Sequence, residues 1–186
     1  MAANDKIQIL CYGDSNTWGC IGKWVESDEP SARYDTDTRW PTVLQKELGE
    51  NFHVIEEGLG GRTTIYPHPT EPWKNGEPYL LPCLHTHRPL DLVVIMLGTN
   101  DLLQGDPPEA VADRMEQFCK NIIPEKSKIL LIGPATMQLG EWVPSRELVE
   151  ASAALNKAYK ALSERLCLDF VDAGAWNIPL AFDGVH

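Results

Sequence analysis

The run from Asp91 to Leu97, DLVVIML, is apolar without alternation after its first residue. A strand wetted on one face alternates with a period of two. An uninterrupted run of this length therefore reads as a strand buried on both faces, at the centre of a parallel sheet. It stops at Gly98-Thr99-Asn100-Asp101, a cluster of turn formers. Ile7–Tyr12 has the same character and stops at Gly13-Asp14-Ser15-Asn16-Thr17. Phe52–Glu56, Lys128–Ile132 and Leu168–Val171 read as three further short strands.

Between these runs lie stretches of helical period. Thr38 is placed to cap a helix over Arg39–Leu48, with Pro41 in its first turn, Trp40, Val43, Leu44 and Leu48 on one face, and Gly49 as its stop. Asp106 is placed to cap a second, whose stripe is Val111, Met115, Phe118, Cys119 and Ile122. Ser145 is placed to cap a third, with Leu148, Leu155, Tyr159, Leu162 and Leu166 on its stripe. Ile65–Pro89 is proline-rich and reads as a long loop walling a site, with a short helix near Leu80–His87. Strands alternating with amphipathic helices require parallel βαβ units with right-handed crossovers. Five of them suit an α/β protein: a three-layer α/β/α, flavodoxin-like sandwich with a parallel sheet of order 2-1-3-4-5. No repeat, low-complexity tract or linker divides residues 1–186, so a single domain is expected.

The net charge of −11 repels phosphate backbones and anionic bilayers, which excludes nucleic-acid and membrane-surface partners. No apolar run approaches the ~20 residues of a membrane span. Met1–Lys6 leads into the first strand without a basic region or apolar targeting segment, so a cytoplasmic location is expected. The cysteines are odd in number, and Cys11, Cys119 and Cys167 fall on core positions, which reads as free thiols in a reducing compartment.

Several motifs fail. Gly22-Lys23 lacks the earlier glycine of a phosphate loop, since Thr17 stands there, and Thr63 replaces the third glycine of a dinucleotide fingerprint in Gly58–Thr64. Ser15 lies in no Gly-x-Ser-x-Gly elbow. Cys83, His85 and His87 would share a side only in an extended segment, and no partnering cluster with ligand spacing occurs elsewhere, so no metal is expected. His53 reads as a structural histidine, and His68 as a possible wall of the site.

Four turns should converge at the carboxyl edge of the sheet, where open α/β folds bind ligands. They carry Ser15, Gly61, Asn100, and the pair Asp183 and His186. Acyl transfer through serine needs a nucleophile, a base, a group that orients the base, and donors for the oxyanion. Ser15 would attack the carbonyl, His186 would take its proton, and Asp183 would fix the imidazole tautomer. The backbone N–H groups of Ser15 and Gly61 and the amide of Asn100 would form the oxyanion hole. Each residue has a plain alternative: Asp and Ser cap helices, Asn100-Asp101 forms Asx turns, and Asp183-Gly184 is a common turn. Their joint occurrence, in order at successive strand ends, favours the chemical reading.

Gly13-Asp14-Ser15, Gly58-Leu59-Gly60-Gly61, Gly98-Thr99-Asn100-Asp101 and Asp183-Gly184-Val185-His186 resemble, in order, the four blocks of the SGNH hydrolases, also called GDSL esterases. The resemblance extends from Ile7 to His186. The runs GDSNTWG, VIEEGLGGRTT and IMLGTND are similar to those of the aryl esterase and acyltransferase (perhydrolase) branch. It implies hydrolysis of short acyl esters through an acyl-serine, without a cofactor, in some members with transfer to alcohols or peroxide. A small-molecule ester is the implied partner, and a homo-oligomer the implied assembly. The acyl pocket would be walled by Trp18, Leu59, Gly60 and Leu102 with the Ile65–Pro82 loop, although Trp18 reads equally as a core aromatic. Family members usually continue into a final helix that packs on the sheet, so the domain is expected to lack its C-terminal helix, leaving an apolar face for a partner subunit. A carbohydrate O-deacetylase or thioesterase with the same triad is an alternative, with Trp24, Trp73 and Trp142 as sugar-contacting candidates. A ligand-binding homologue unable to hold its base is another.

Overall fold

A computed structural model describes residues 6–22 and 32–186. Five strands form one parallel sheet in the order β2-β1-β3-β4-β5: β1 (Ile7–Gly13), β2 (Phe52–Gly58), β3 (Leu92–Met96), β4 (Lys128–Gly133) and β5 (Asp169–Asp172). The order reverses between β1 and β3, so a crevice opens at their carboxyl ends.

Alternate residues of β1 feed opposite cores. Leu10 and Tyr12 join the larger core with Val93, Ile95 and the buried faces of α3 (Gly76–Thr86), α5 (Pro108–Ile122) and α6 (Arg146–Leu166). Ile9, Cys11 and Val94 meet Trp40, Leu44 and Leu48 of α2 (Trp40–Leu48) on the other face. The expected α5 stripe, Val111, Met115, Phe118, Cys119 and Ile122, is wholly buried. Each such side chain contributes about 1.5–3 kcal/mol by leaving water. Beside α2 the second face keeps an apolar groove of about 470 Å³, lined in part by Trp40, Leu44, Ile132 and Trp176. Among the described residues, no helix is long and apolar enough to cross a membrane.

Four expectations are corrected. Thr38 does not cap α2, because its hydroxyl is taken by Asp35 at 2.8 Å, and Arg39 occupies the cap position. Val43 lies off the buried face and is 40% exposed. Asp106 does not cap α5, since its carboxylate is held by Arg114 (2.5 and 3.1 Å). Cys167 is exposed because it ends α6 in left-handed backbone, φ 55°. In the proline-rich stretch the helix begins earlier than expected, at Gly76, where the Asn75 side chain accepts from the Glu77 N–H. Ser145 caps α6 through the Leu148 N–H, as its sequence position suggests.

Candidate active site

Ser15 opens a single-turn helix, α1 (Ser15–Trp18), directly after β1. The cap is Asp14, whose carboxylate accepts the Asn16 N–H at 3.0 Å. Capping is thus done by the neighbour, and the Ser15 hydroxyl is left for other work. The turn sits hard against β2: a Cβ on Gly58 would lie 2.1 Å from the Trp18 nitrogen, so only glycine admits this approach.

That hydroxyl lies 2.8 Å from Nε2 of His186. Nδ1 of His186 lies 2.9 Å from Asp183 Oδ2. A carboxylate only accepts, so Nδ1 carries the proton and the Nε2 lone pair faces Ser15. The second carboxylate oxygen accepts the N–H groups of Val185 (2.8 Å) and His186 (2.9 Å). Burial pushes the Asp183 carboxyl up, but these N–H donors and the imidazole outweigh it and hold it below the ordinary value. The turn is laced to the loop after β4: Gln138, Glu141 and Trp142 N–H groups donate to the carbonyls of Gly184, Phe182 and Asp183 at 3.0, 3.0 and 3.1 Å. The Trp142 ring meets the imidazole edge-on, centroids 5.3 Å apart.

Gly61 follows β2 with φ 74°, a backbone that L side chains rarely adopt. Asn100 lies in α4 (Thr99–Leu103), after β3, and its amide donates to the Arg62 carbonyl at 3.0 Å. An amide has two N–H groups, so one remains for a ligand. Ser15 is the first residue of its helix, and such an N–H has no intrahelical acceptor. The three donors therefore come from three adjacent strand ends, β2, β1 and β3. Two buried charges brace them. Arg62 donates from Nη1 to the carbonyls of Gly13 (3.0 Å) and Glu57 and stacks on the Tyr12 ring at 4.1 Å. Asp101 accepts the Thr64 N–H (3.0 Å) and hydroxyl (2.5 Å). Burial pushes the Asp101 carboxyl up, opposed by these Thr64 donors and by Arg114.

Ser15, Trp18, Leu59, Gly60, Gly61, Asn100 and His186 all line one cleft of about 460 Å³. Leu102 does not: it is 2% exposed and packs in the main core. Two residues along a helix turn about 200°, so Leu102 points opposite to Asn100. Cys20, Lys74 and Trp142 complete the lining. Sequence reasoning did not single out Cys20, whose N–H donates to the Ser15 carbonyl at 2.9 Å, or Lys74 within the Ile65–Pro82 loop; Lys74 stands over Gly61, ion-paired to Glu71 at 2.5 Å. Trp73 lines a neighbouring pocket with Tyr79 instead, and Trp24 lies outside the described residues. His68 serves its own loop, accepting the Glu71 N–H at 3.0 Å, and His53 bonds Gln8 at 2.7 Å.

The Asp183–His186–Ser15 hydrogen-bond chain thus stands at the switch point of a parallel sheet of order 2-1-3-4-5. The chain belongs to the GDSL-like Lipase/Acylhydrolase family, which it matches over residues 11–186. An arylesterase of Vibrio mimicus is 30% identical over 113 residues, 58% of this chain and 52% of that enzyme, so the chain spans about half the length of this curated relative. The native M. smegmatis aryl esterase superposes with a TM-score of 0.89 and 36% identity, covering 97% of this chain and 90% of that one. Est24, a carbohydrate acetylesterase from Sinorhizobium meliloti, gives 0.88 and 33%, with 97% and 90% covered.

Proposed function

We propose that the protein is a serine esterase that hydrolyses short-chain acyl esters of the aryl or alkyl acetate type through an acyl-serine. The unbroken hydrogen-bond chain from Asp183 through His186 to Ser15 carries this reading. Ser15 Oγ attacks the ester carbonyl as its proton passes to His186 Nε2. The tetrahedral oxyanion takes hydrogen bonds from the Ser15 and Gly61 N–H groups and the Asn100 amide. Collapse breaks the bond to the alcohol, which leaves with the proton from Nε2. Water then attacks the acyl-serine, giving its proton to His186, and the acid departs as Ser15 is reprotonated. Asp183 stays ionised throughout. No step needs a cofactor or metal.

The walls formed by Trp18, Leu59 and Trp142 suit an aryl or small acyl group. Apolar walls also disfavour water at the acyl-enzyme, which supports acyl transfer to other acceptors as a second outlet. O-acetylated carbohydrate is the second substrate reading, favoured by Trp142, 37% exposed on the cleft wall. Exposed Trp176, Ile178 and Phe182 support a homo-oligomer. Buried thiols at Cys11, Cys83 and Cys119, none in a disulfide, support a cytoplasmic setting.

The test is hydrolysis of 4-nitrophenyl acetate by the protein and its Ser15→Ala variant. Turnover in the wild type should fall roughly 10³-fold or more in the variant. Equal rates in the two would remove Ser15 from the mechanism.

A further inference from the structure

The cluster Cys83, His85 and His87 does not form as an extended segment would place it. The segment is helical: Cys83 lies in the last turn of α3 and His87 caps its C-terminus, its N–H donating to the Cys83 carbonyl at 3.2 Å, while His85 turns to Arg88 (3.0 Å) and Glu125 (3.8 Å). The fold supplies a different third group from β2. Glu57, next to last in that strand, reaches the His87 ring with Oε1 at 3.0 Å from Nε2, and its other oxygen accepts the Tyr79 hydroxyl at 3.2 Å. One ligand atom each from Glu57, Cys83 and His87 lies within 4.8 Å of the other two.

We propose that Glu57, Cys83 and His87 form a binding site for a zinc-type divalent ion, with three protein ligands and a fourth position for water. Thiolate, imidazole and carboxylate are the donor types that zinc takes together, and three protein ligands with one open position is a familiar zinc arrangement. With bonds of ~2.0–2.3 Å, tetrahedral ligand atoms stand about 3.3–3.8 Å apart. Seating the ion thus asks for contraction of the widest pair by at most about an ångström and a slight widening of the 3.0 Å Glu57–His87 pair. Access is built in: Cys83 forms the floor at 1% exposure, while the Glu57 and His87 side chains at the mouth are 19% and 27% exposed. Binding would send the Cys83 proton to solvent, move the His87 ring proton from Nε2 to Nδ1, and turn the facing Glu57 and His87 atoms from each other to the ion. Burial, and then the Glu57 carboxylate, push the empty-site thiol up to about 12, partly offset by Arg62, so ion binding must supply the free energy of deprotonation.

The position gives the site a consequence. Glu57 is followed directly by Gly58-Leu59-Gly60-Gly61, so an ion would tie the root of the oxyanion loop to α3. None of the three ligands lines the Ser15 cleft, and the inference stands independently of the esterase reading.

The experiment uses Co²⁺ as the probe on the metal-free full chain. One equivalent should produce a thiolate-to-cobalt charge-transfer band with tetrahedral d–d absorption. Zn²⁺ should displace it and raise the melting temperature. Cys83→Ser should abolish the band, Cys167→Ser should leave it intact, and His87→Gln should weaken Co²⁺ binding tenfold or more. Should Cys83→Ser fail to fold, Glu57→Gln and His87→Gln decide, since both side chains sit at the surface end of the site. No band in the folded wild type, a band surviving Cys83→Ser, or binding indifferent to both Glu57→Gln and His87→Gln overturns the assignment.

Discussion

The two halves of the cleft are held in place by different means. Ser15, Gly61 and Asn100 stand on neighbouring strand ends and are braced from below by the buried side chains of Arg62 and Asp101. The Asp183–His186 turn belongs to no strand. Main-chain hydrogen bonds to residues 138–142 hold it, and Gly184 sits in left-handed backbone at φ 81°. The groups of the proposed oxyanion hole are thus set by buried side-chain chemistry. The turn that carries the proposed base, His186, is set mainly by backbone hydrogen bonds. Substitutions should respect this division.

The largest effect falls on the braced half. Asp101→Ala leaves the Thr64 N–H and hydroxyl without their acceptor and takes a carboxylate away from Arg114, 3.6 Å distant. Removing one partner from such a buried charged network should lower stability by about 3–5 kcal/mol, read by urea denaturation. A loss below about 1 kcal/mol would mean that Asp101 braces nothing. Asn100→Ala comes next. With the fold kept, kcat should fall by about 10²–10³, the effect of one oxyanion donor, with little change in KM. A rise in KM at constant kcat would instead make Asn100 a ground-state binder.

Gly184→Ala probes the other half. A Cβ there would stand 2.2 Å from the Gln138 carbonyl oxygen, on a backbone that disfavours side chains. The turn must shift, and displacing the base by an ångström should reduce kcat/KM on the order of 10²-fold. Stability should fall by only about 1–2 kcal/mol, since the core is untouched. If stability collapses instead, the turn is part of the folding core and the contrast between the halves fails.

The same contrast explains what the sequence made legible. Strands, the α5 stripe and the turns that carry Ser15, Gly61, Asn100 and Asp183 depend on local periodicity and turn chemistry. A chain writes these into neighbouring residues. Legibility ends where a polar side chain chooses among distant partners. Thr38 and Asp106 have the right chemistry to cap, but Asp35 and Arg114 claim them. Leu102 differs from its expected place for want of a helix boundary: a turn beginning at Gly98 reads as loop, and only a helix from Thr99 rotates residue 102 into the core. Glu57 enters the Cys83–His87 cluster from another strand, which no spacing rule could announce.

The finest test separates the halves by proton linkage. Asp14, beside Ser15, is 1% exposed, and burial pushes its carboxyl from the ordinary 3.8 up to about 7, against the Asn16 N–H and the Arg62 charge. Between pH 4 and 7 the folded chain therefore holds a proton that the unfolded chain has released. The resulting stability is full below about pH 4 and is lost as pH rises through about 7. Asp183 has the opposite sign: its carboxyl lies below the ordinary value, so its contribution is present above about pH 4 and is lost on further acidification. Asp14→Asn removes the first titration while keeping an oxygen to accept the Asn16 N–H. Urea denaturation from pH 4 to 8 should show the variant gaining on the wild type as pH rises, by a few kcal/mol at most, roughly the energy of the shift. A difference that stays flat across this range would mean that Asp14 is ionised at no cost. Both halves of the cleft would then hold their carboxylates as anions, and the division between them would rest on packing alone.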